Sequence, residues 1–253
     1  MKKHIPNTLT CCNLISGCIA TYFAFQSNYS IAFAFIIIGA VFDFFDGFAA
    51  RLLHVSSPVG KELDSLADDI TFGFAPSAIV FSLTSGLLQR VEISQCELGI
   101  DSAVYYSVAQ YLPYVAFLMA AFSALRLAKF NLDERQTTSF IGLPTPANAL
   151  FWAALSVSFS ATSFSDGSAL LVGTALLAGV LISCWLLVAE IPMFALKFKH
   201  FGIHGNELRY GFILLSILLL IILGWAGFSA IIILYILTSI ADNAFGTKVA
   251  SKG

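Results

Sequence analysis

Residues 43–68 read DFFDGFAARLLHVSSPVGKELDSLAD, and the interpretation of the whole chain turns on them. Four carboxylates, Asp43, Asp46, Asp64 and Asp68, stand at the ends of two very apolar segments. On helices, the i, i+3 pair Asp43 and Asp46 shares one face, and so does the i, i+4 pair Asp64 and Asp68. A turn carrying Pro58 and Gly60 joins the segments, so the spacing predicts a helical hairpin whose two acidic faces meet. Carboxylates crowded beside hydrocarbon repel one another and lose hydration unless a cation lies between them. Hard oxygen donors of this kind select Mg²⁺ or Mn²⁺ over zinc, and such clusters commonly handle phosphate groups.

Working outward, the 253 residues are 58% hydrophobic and 11% charged, with a mean hydropathy of +0.86. Soluble domains carry about 25% charged residues, so the composition predicts an all-α polytopic membrane bundle. The net charge of −2 identifies no partner, and no nucleic acid is expected. Cys11, Cys12, Cys18, Cys96 and Cys184 lack any CxxC or Cys/His spacing and are read as small packing residues. His4, His54, His200 and His204 form no ligand pattern, and His54 is expected to face water from the turn. Ile15-Ser16-Gly17-Cys18 resembles a lipoprotein cleavage site. Pro6, Asn7, Thr8 and Asn13 interrupt the candidate apolar region, so a retained first span is expected.

Apolar runs of bilayer length are expected at about 10–26, 30–53, 63–87, 105–130, 146–161 and 169–189. Residues 88–103 are expected to be the longest polar connection, and 131–136 a charged loop. The run from Tyr210 to Thr238 exceeds one crossing and carries Gly224 and Gly227 near its middle. It is read as two short spans, giving eight in all, with one long kinked helix as the alternative. With the N-terminus inside, twelve of the thirteen Lys and Arg residues fall on the cytoplasmic side and only Arg90 outside. That orientation puts the four aspartates at the cytoplasmic face of the cell membrane. The chain is expected to be a single domain spanning 1–253.

Written with its gaps, the opening stretch is D-x2-D-G-x2-A-R-x8-G-x3-D-x3-D, through Asp43, Asp46, Gly47, Ala50, Arg51, Gly60, Asp64 and Asp68. It resembles the complete signature of the CDP-alcohol phosphotransferase family. Glycines at 47 and 60 suit close approach of phosphates to the backbone, and Arg51 suits a forked contact to phosphate or carboxylate. The resemblance implies cleavage of a CDP-linked substrate's pyrophosphate. It implies two divalent ions on Asp43, Asp46, Asp64 and Asp68, with Asp68 also the general base on the acceptor hydroxyl. It further implies a CDP pocket at Gly47, Ala50, Arg51, Gly60 and Asp64, joined by Asn7 and Thr10 from the P-N-x-x-T opening. Capping at the interface accounts equally for the polar N-terminal residues. Asp69 lies outside the signature and is read as a charge partner or helix-end residue.

The signature leaves the acceptor alcohol open. Arg126 and Lys129 put two cations on one helix face, where snorkelling to headgroups is the simplest account. Yet ALRLAKFN (124–131), FIGLPTPA (140–147) and EIPMF (190–194) resemble the phosphatidylserine synthase branch, although Lys129 replaces an expected Arg and loses its fork. The branch implies CDP-diacylglycerol and L-serine as substrates, membrane lipids around the protein, and a homodimer. Arg126 and Lys129 would then hold the serine carboxylate or the lipid phosphate. Inositol phosphate or glycerol phosphate would use the same cations, so the acceptor rests on resemblance. An ion-coupled transporter also buries aspartates but leaves the Arg51 and Gly60 spacing without a role. An intramembrane prenyltransferase would place its aspartate motifs in separate hairpins.

Overall fold

The computed structural model describes residues 4–97, 110–133, 140–162, 164–193, 202 and 206–250. Helix α1 (His4–Phe25) turns back at Ser27, with a φ of 56°, into α2 (Tyr29–Leu52), capped by Asn28 accepting from the Ile31 amide. Pro6 falls in the first turn of α1, where no intrahelical amide hydrogen is required, so this helix starts earlier than expected. The signature turn then opens α3 (Pro58–Asp68). Its cap, Ser57, accepts from the Gly60 amide at 3.0 Å, and Pro58 occupies the first turn.

Helix α3 runs through a π-helical turn (Asp69–Phe74) into α4 (Ala75–Glu97). Pro76 lacks the amide that would close the preceding α-turn, and the widened turn absorbs that loss. Helix continues to Glu97, so residues 88–97 prolong α4, past the apolar span that ends at Gln89, rather than forming the polar connection expected there. The rest of that connection lies outside the described residues. A 3₁₀ stretch (Leu112–Phe117) enters α5 (Leu118–Leu132), which takes in the first residues of the expected charged loop. There follow α6 (Thr145–Ser160), α7 (Asp166–Val188), α8 (Glu207–Leu223) and α9 (Ala226–Ala250). Gly224, at φ 55°, separates α8 from α9, and Phe212 packs edge-on against Tyr235, so the two helices form an antiparallel hairpin. Lys197, Lys199, His200 and His204 lie outside the described residues.

Six helical stretches among the described residues are long and apolar enough to cross a bilayer: His4–Phe25, Tyr29–Leu52, Pro58–Gln89, Leu112–Leu132, Gly167–Val188 and Ala226–Asn243. Helices α6 and α8, at 16 and 17 residues, are shorter. Large apolar side chains such as Phe44, Leu171, Leu214 and Ile221 remain exposed, as expected of a multi-pass membrane protein whose outer solvent is hydrocarbon. The described residues are mostly helical, as expected, with one short exception. Phe140–Ile141 (β1) and Pro192–Met193 (β2) pair as an antiparallel ribbon, because prolines at 144 and 192 keep the flanking chain extended.

The π-turn fixes the spacing of the first helices. Thr71 is fully buried between α1 and α2, and its hydroxyl donates to the Asn13 carbonyl at 3.0 Å. A Cβ on Gly17 would collide with Thr71 Oγ1 and stand 2.8 Å from its Cα, and one on Gly39 would stand 2.6 Å from its Cγ2. Both glycines are therefore required by close approach.

Candidate active site

The hairpin of α2 and α3 brings the acidic faces together as the spacing predicts. Asp43, Asp64 and Asp68 each offer a carboxylate oxygen, and these oxygens lie within 4.8 Å of one another. Asp43 and Asp68 approach to hydrogen-bonding reach, and Asp64 Oδ1 is buried without a hydrogen-bond partner. Acceptor-only groups packed this closely, one of them with an orphaned oxygen, form a donor set that fits a hard divalent cation.

Asp46 differs from the other three. It is 6% exposed, it stands outside the convergent trio, and its Oδ2 accepts from Thr10 Oγ1 at 2.6 Å. Its charge still reaches Asp64. Asp68 Oδ1 accepts from Asn13 Nδ2 at 3.1 Å. Thr10 and Asn13 are three residues apart on α1 and so face α2 and α3 together. The sequence singled out Thr10 for the nucleotide, whereas the contact to Asp68 from Asn13 was missed. The i, i+3 polar pair inside an apolar helix was the available signal.

Beside the carboxylates opens a cavity of about 250 Å³. Its wall includes Asn7, Thr10, Asp46, Gly47, Ala50, Gly60 and Asp64, which groups most of the expected CDP-pocket residues on one surface. Arg51 is exposed and folds back over Gly47, where a Cβ would lie 3.7 Å from its Nη1. His54 adopts a φ of 51° at the end of α2 and faces outward as expected. Lys61 donates to the Asn131 carbonyl at 2.9 Å, and Asn131 Nδ2 donates to Ser65 Oγ at 2.7 Å, tying α3 to the end of α5. Asp69 stands outside the trio, with Oδ1 buried and no hydrogen-bond partner, and it would meet a Cβ on Gly73 at 2.5 Å.

Arg126 and Lys129 line a separate cavity of about 420 Å³, together with Asp133, Ile141 and Glu190. Arg126 is 7% exposed, its Nε has no hydrogen-bond partner, and its guanidinium lies 5.9 Å from the Phe130 ring centroid. It is close enough to Asp68 for their charges to interact. Lys129 is exposed. The three stretches that resemble the synthase branch thus converge: α5 supplies the cations, while β1 and β2 pair alongside.

Residues 3–195 match the family model described as CDP-alcohol phosphatidyltransferase. A Bacillus subtilis (strain 168) protein named CDP-diacylglycerol–serine O-phosphatidyltransferase is 33% identical over 205 residues, covering 81% of this chain and 95% of its own. A Helicobacter pylori (strain J99) protein of the same name is 29% identical over 181 residues, 70% of this chain and 68% of its own. One from Methanocaldococcus jannaschii is 26% identical over 206 residues, 76% and 87% of the two chains. The match takes in the whole signature, with its turn and carboxylate trio, and extends beyond it past the Arg126 region, and the chain belongs to the CDP-alcohol phosphatidyltransferase family.

Proposed function

We propose that this chain is a phosphatidylserine synthase, which transfers the phosphatidyl group of CDP-diacylglycerol to the hydroxyl of L-serine and releases CMP. The observation that carries the proposal is the meeting of Asp43, Asp64 and Asp68 beside a cavity walled by the signature residues Gly47, Ala50 and Gly60. Asn7, Thr10 and Arg51 complete the surface assigned to CDP. Asp43, Asp46, Asp64 and Asp68 would hold two Mg²⁺ or Mn²⁺ ions. When bound, these ions supply positive charge to the pyrophosphate and to the departing CMP. Asp68 takes the proton of the serine hydroxyl, and the freed oxygen forms a bond to the lipid phosphorus while the bond to the CMP oxygen breaks. Asn13 holds Asp68 in orientation for that step. Arg126 and Lys129 receive the serine carboxylate or the lipid phosphate.

On this proposal the six long helices are joined by α6 and α8 as two shorter crossings, giving eight. The chain is one domain over 1–253, working as a homodimer in the cell membrane with its termini and active site cytoplasmic. Membranes containing the protein, given labelled serine and CDP-diacylglycerol, are expected to form a chloroform-soluble, metal-dependent product and CMP. Absence of that product overturns the proposal. One observation favours a second acceptor: Arg126 and Lys129 on a single cavity wall also suit a phosphate. Glycerol phosphate or inositol phosphate in the same assay separates these activities. Solute accumulation in sealed vesicles without CMP release would instead indicate a transporter.

A further inference from the structure

The cavity that Arg126 and Lys129 share has two walls. One is the end of α5, with Arg126, Lys129 and Asp133; the other is β1 at Ile141 and the end of α7 from Leu187 to Glu190. The second wall is electronegative. The last carbonyls of a helix have no intrahelical partner, and the helix dipole places about half a negative charge there. Helix α7 ends at Val188, and Glu190 adds a carboxylate two residues beyond. Glu190 is exposed, but its backbone is held on both sides. The Ala189 amide donates to the Trp185 carbonyl at 2.9 Å, and the Ile191 carbonyl accepts from the Gly142 amide at 2.9 Å. The Pro192 carbonyl accepts from Asn243 Nδ2 at 2.6 Å, which ties the ribbon to α9. Gly142, at φ 76°, lets the chain after β1 lie against the helix end. A Cβ there would stand 2.8 Å from the Leu187 oxygen and 3.0 Å from that of Ala189.

The charges on this cavity balance: among the described lining residues, Arg126 and Lys129 stand with Asp133 and Glu190. A dianionic phosphate acceptor is drawn by the cations but opposed by the carboxylates, whereas a neutral zwitterion finds a partner for each of its charges. An ammonium taken from water needs anions or carbonyl oxygens around it. We infer that the acceptor is recognised as an α-amino acid zwitterion, with its ammonium on the Glu190 carboxylate and the carbonyl end of α7 and its carboxylate toward the α5 cations. The inference rests on the synthase reading and extends it by making Glu190 a specificity residue that selects an amino acid over a phosphate. The site adjoins the proposed base, because Arg126 is close enough to Asp68 for their charges to interact.

The test compares L-serine with L-glycerate, which keeps the carboxylate and the hydroxyl but carries a second hydroxyl in place of the ammonium. Transfer from CDP-diacylglycerol is followed as CMP release by the full chain in vesicles. Wild type is expected to prefer L-serine by about tenfold or more in kcat/KM. Glu190→Gln keeps the shape and removes the charge. It is expected to raise the KM for serine about tenfold, to change the KM for CDP-diacylglycerol less than about twofold, and to leave transfer to L-glycerate as it was. Glu190→Asp is expected to recover part of the serine preference, which a merely structural role would not produce. A wild type indifferent between the two acceptors overturns the inference. So does a Glu190→Gln variant that keeps the wild-type preference or raises both KM values together. In each of these cases serine transfer by the wild type leaves the synthase reading standing. A wild type that forms no phosphatidylserine overturns that reading, and the inference with it.

Discussion

Replacing Asn13 by Ala tests whether the carboxylate trio is a metal centre held by its surroundings. Asn13 Nδ2 donates to Asp68 Oδ1 at 3.1 Å and is the side-chain donor resolved on that carboxylate. The bond fixes one oxygen and so presents the other to an ion. Partners of metal-ligating carboxylates typically contribute 10- to 100-fold in metal affinity, or about 1.4–2.8 kcal/mol at 1.4 kcal/mol per decade. Hydrogen bonds to charged groups, at about 1.5–3 kcal/mol, give the same range independently. Asn13→Ala is therefore expected to raise the Mn²⁺ concentration for half-maximal CMP release by about 10- to 100-fold. Because Asp68 itself remains, saturating Mn²⁺ should restore most of the rate. Asn13→Asp is nearly the same shape but sets an acceptor against Asp68, so it should lose more than the alanine variant. Asn13 is fully buried, and thermal unfolding of each variant checks that the site rather than the bundle is affected. An unchanged metal requirement in Asn13→Ala, or a loss that saturating Mn²⁺ leaves in place, refutes the reasoning.

Asp68→Asn is expected to abolish turnover while membrane insertion and the unfolding midpoint stay near wild type; wild-type rates would remove Asp68 as the base. Chelation followed by addition of Mg²⁺ or Mn²⁺ should abolish and then restore CMP release, and activity that survives chelation would contradict a metal role for the trio. Gly17→Val would drive its side chain into Thr71 backbone atoms, and overpacking of this kind costs about 1–3 kcal/mol or more, so a lowered unfolding midpoint and poor yield are expected. Arg126→Lys keeps the charge but loses the fork, and should raise one KM more than the other: that for serine if Arg126 holds the carboxylate, that for CDP-diacylglycerol if it holds the lipid phosphate; equal changes in both would point to a packing role.

The helical periods of residues 43–68 contained the central arrangement. Spacings of three and four put each acidic pair on one face, and Pro58 and Gly60 marked the turn where the faces meet; the Ser57 cap was not read. The separation of α8 from α9 was similarly legible at Gly224, because a chain that must adopt positive φ after a long apolar run favours glycine there. What could not be read required knowing which helices touch. Asp46 looked equivalent to Asp43 by spacing, yet it stands outside the convergent trio and its Oδ2 accepts from Thr10 on a different helix. The β1–β2 ribbon joins segments about fifty residues apart, and each strand is too short to show alternation. The π-turn was hidden for a different reason. One extra residue in a turn rotates everything beyond it by about 100°, so no single period describes both Asp64–Asp68 and the buried face of α4. That irregularity also links the fold to the chemistry. Asn13 binds the chain on both sides of the junction, accepting from Thr71 through its backbone and donating to Asp68 through its side chain. Straightening the π-turn would therefore move Thr71 out from between Gly17 and Gly39 and turn Asp68 relative to Asn13 in the same motion. The close packing of the first three helices and the orientation of the proposed base are one structural feature.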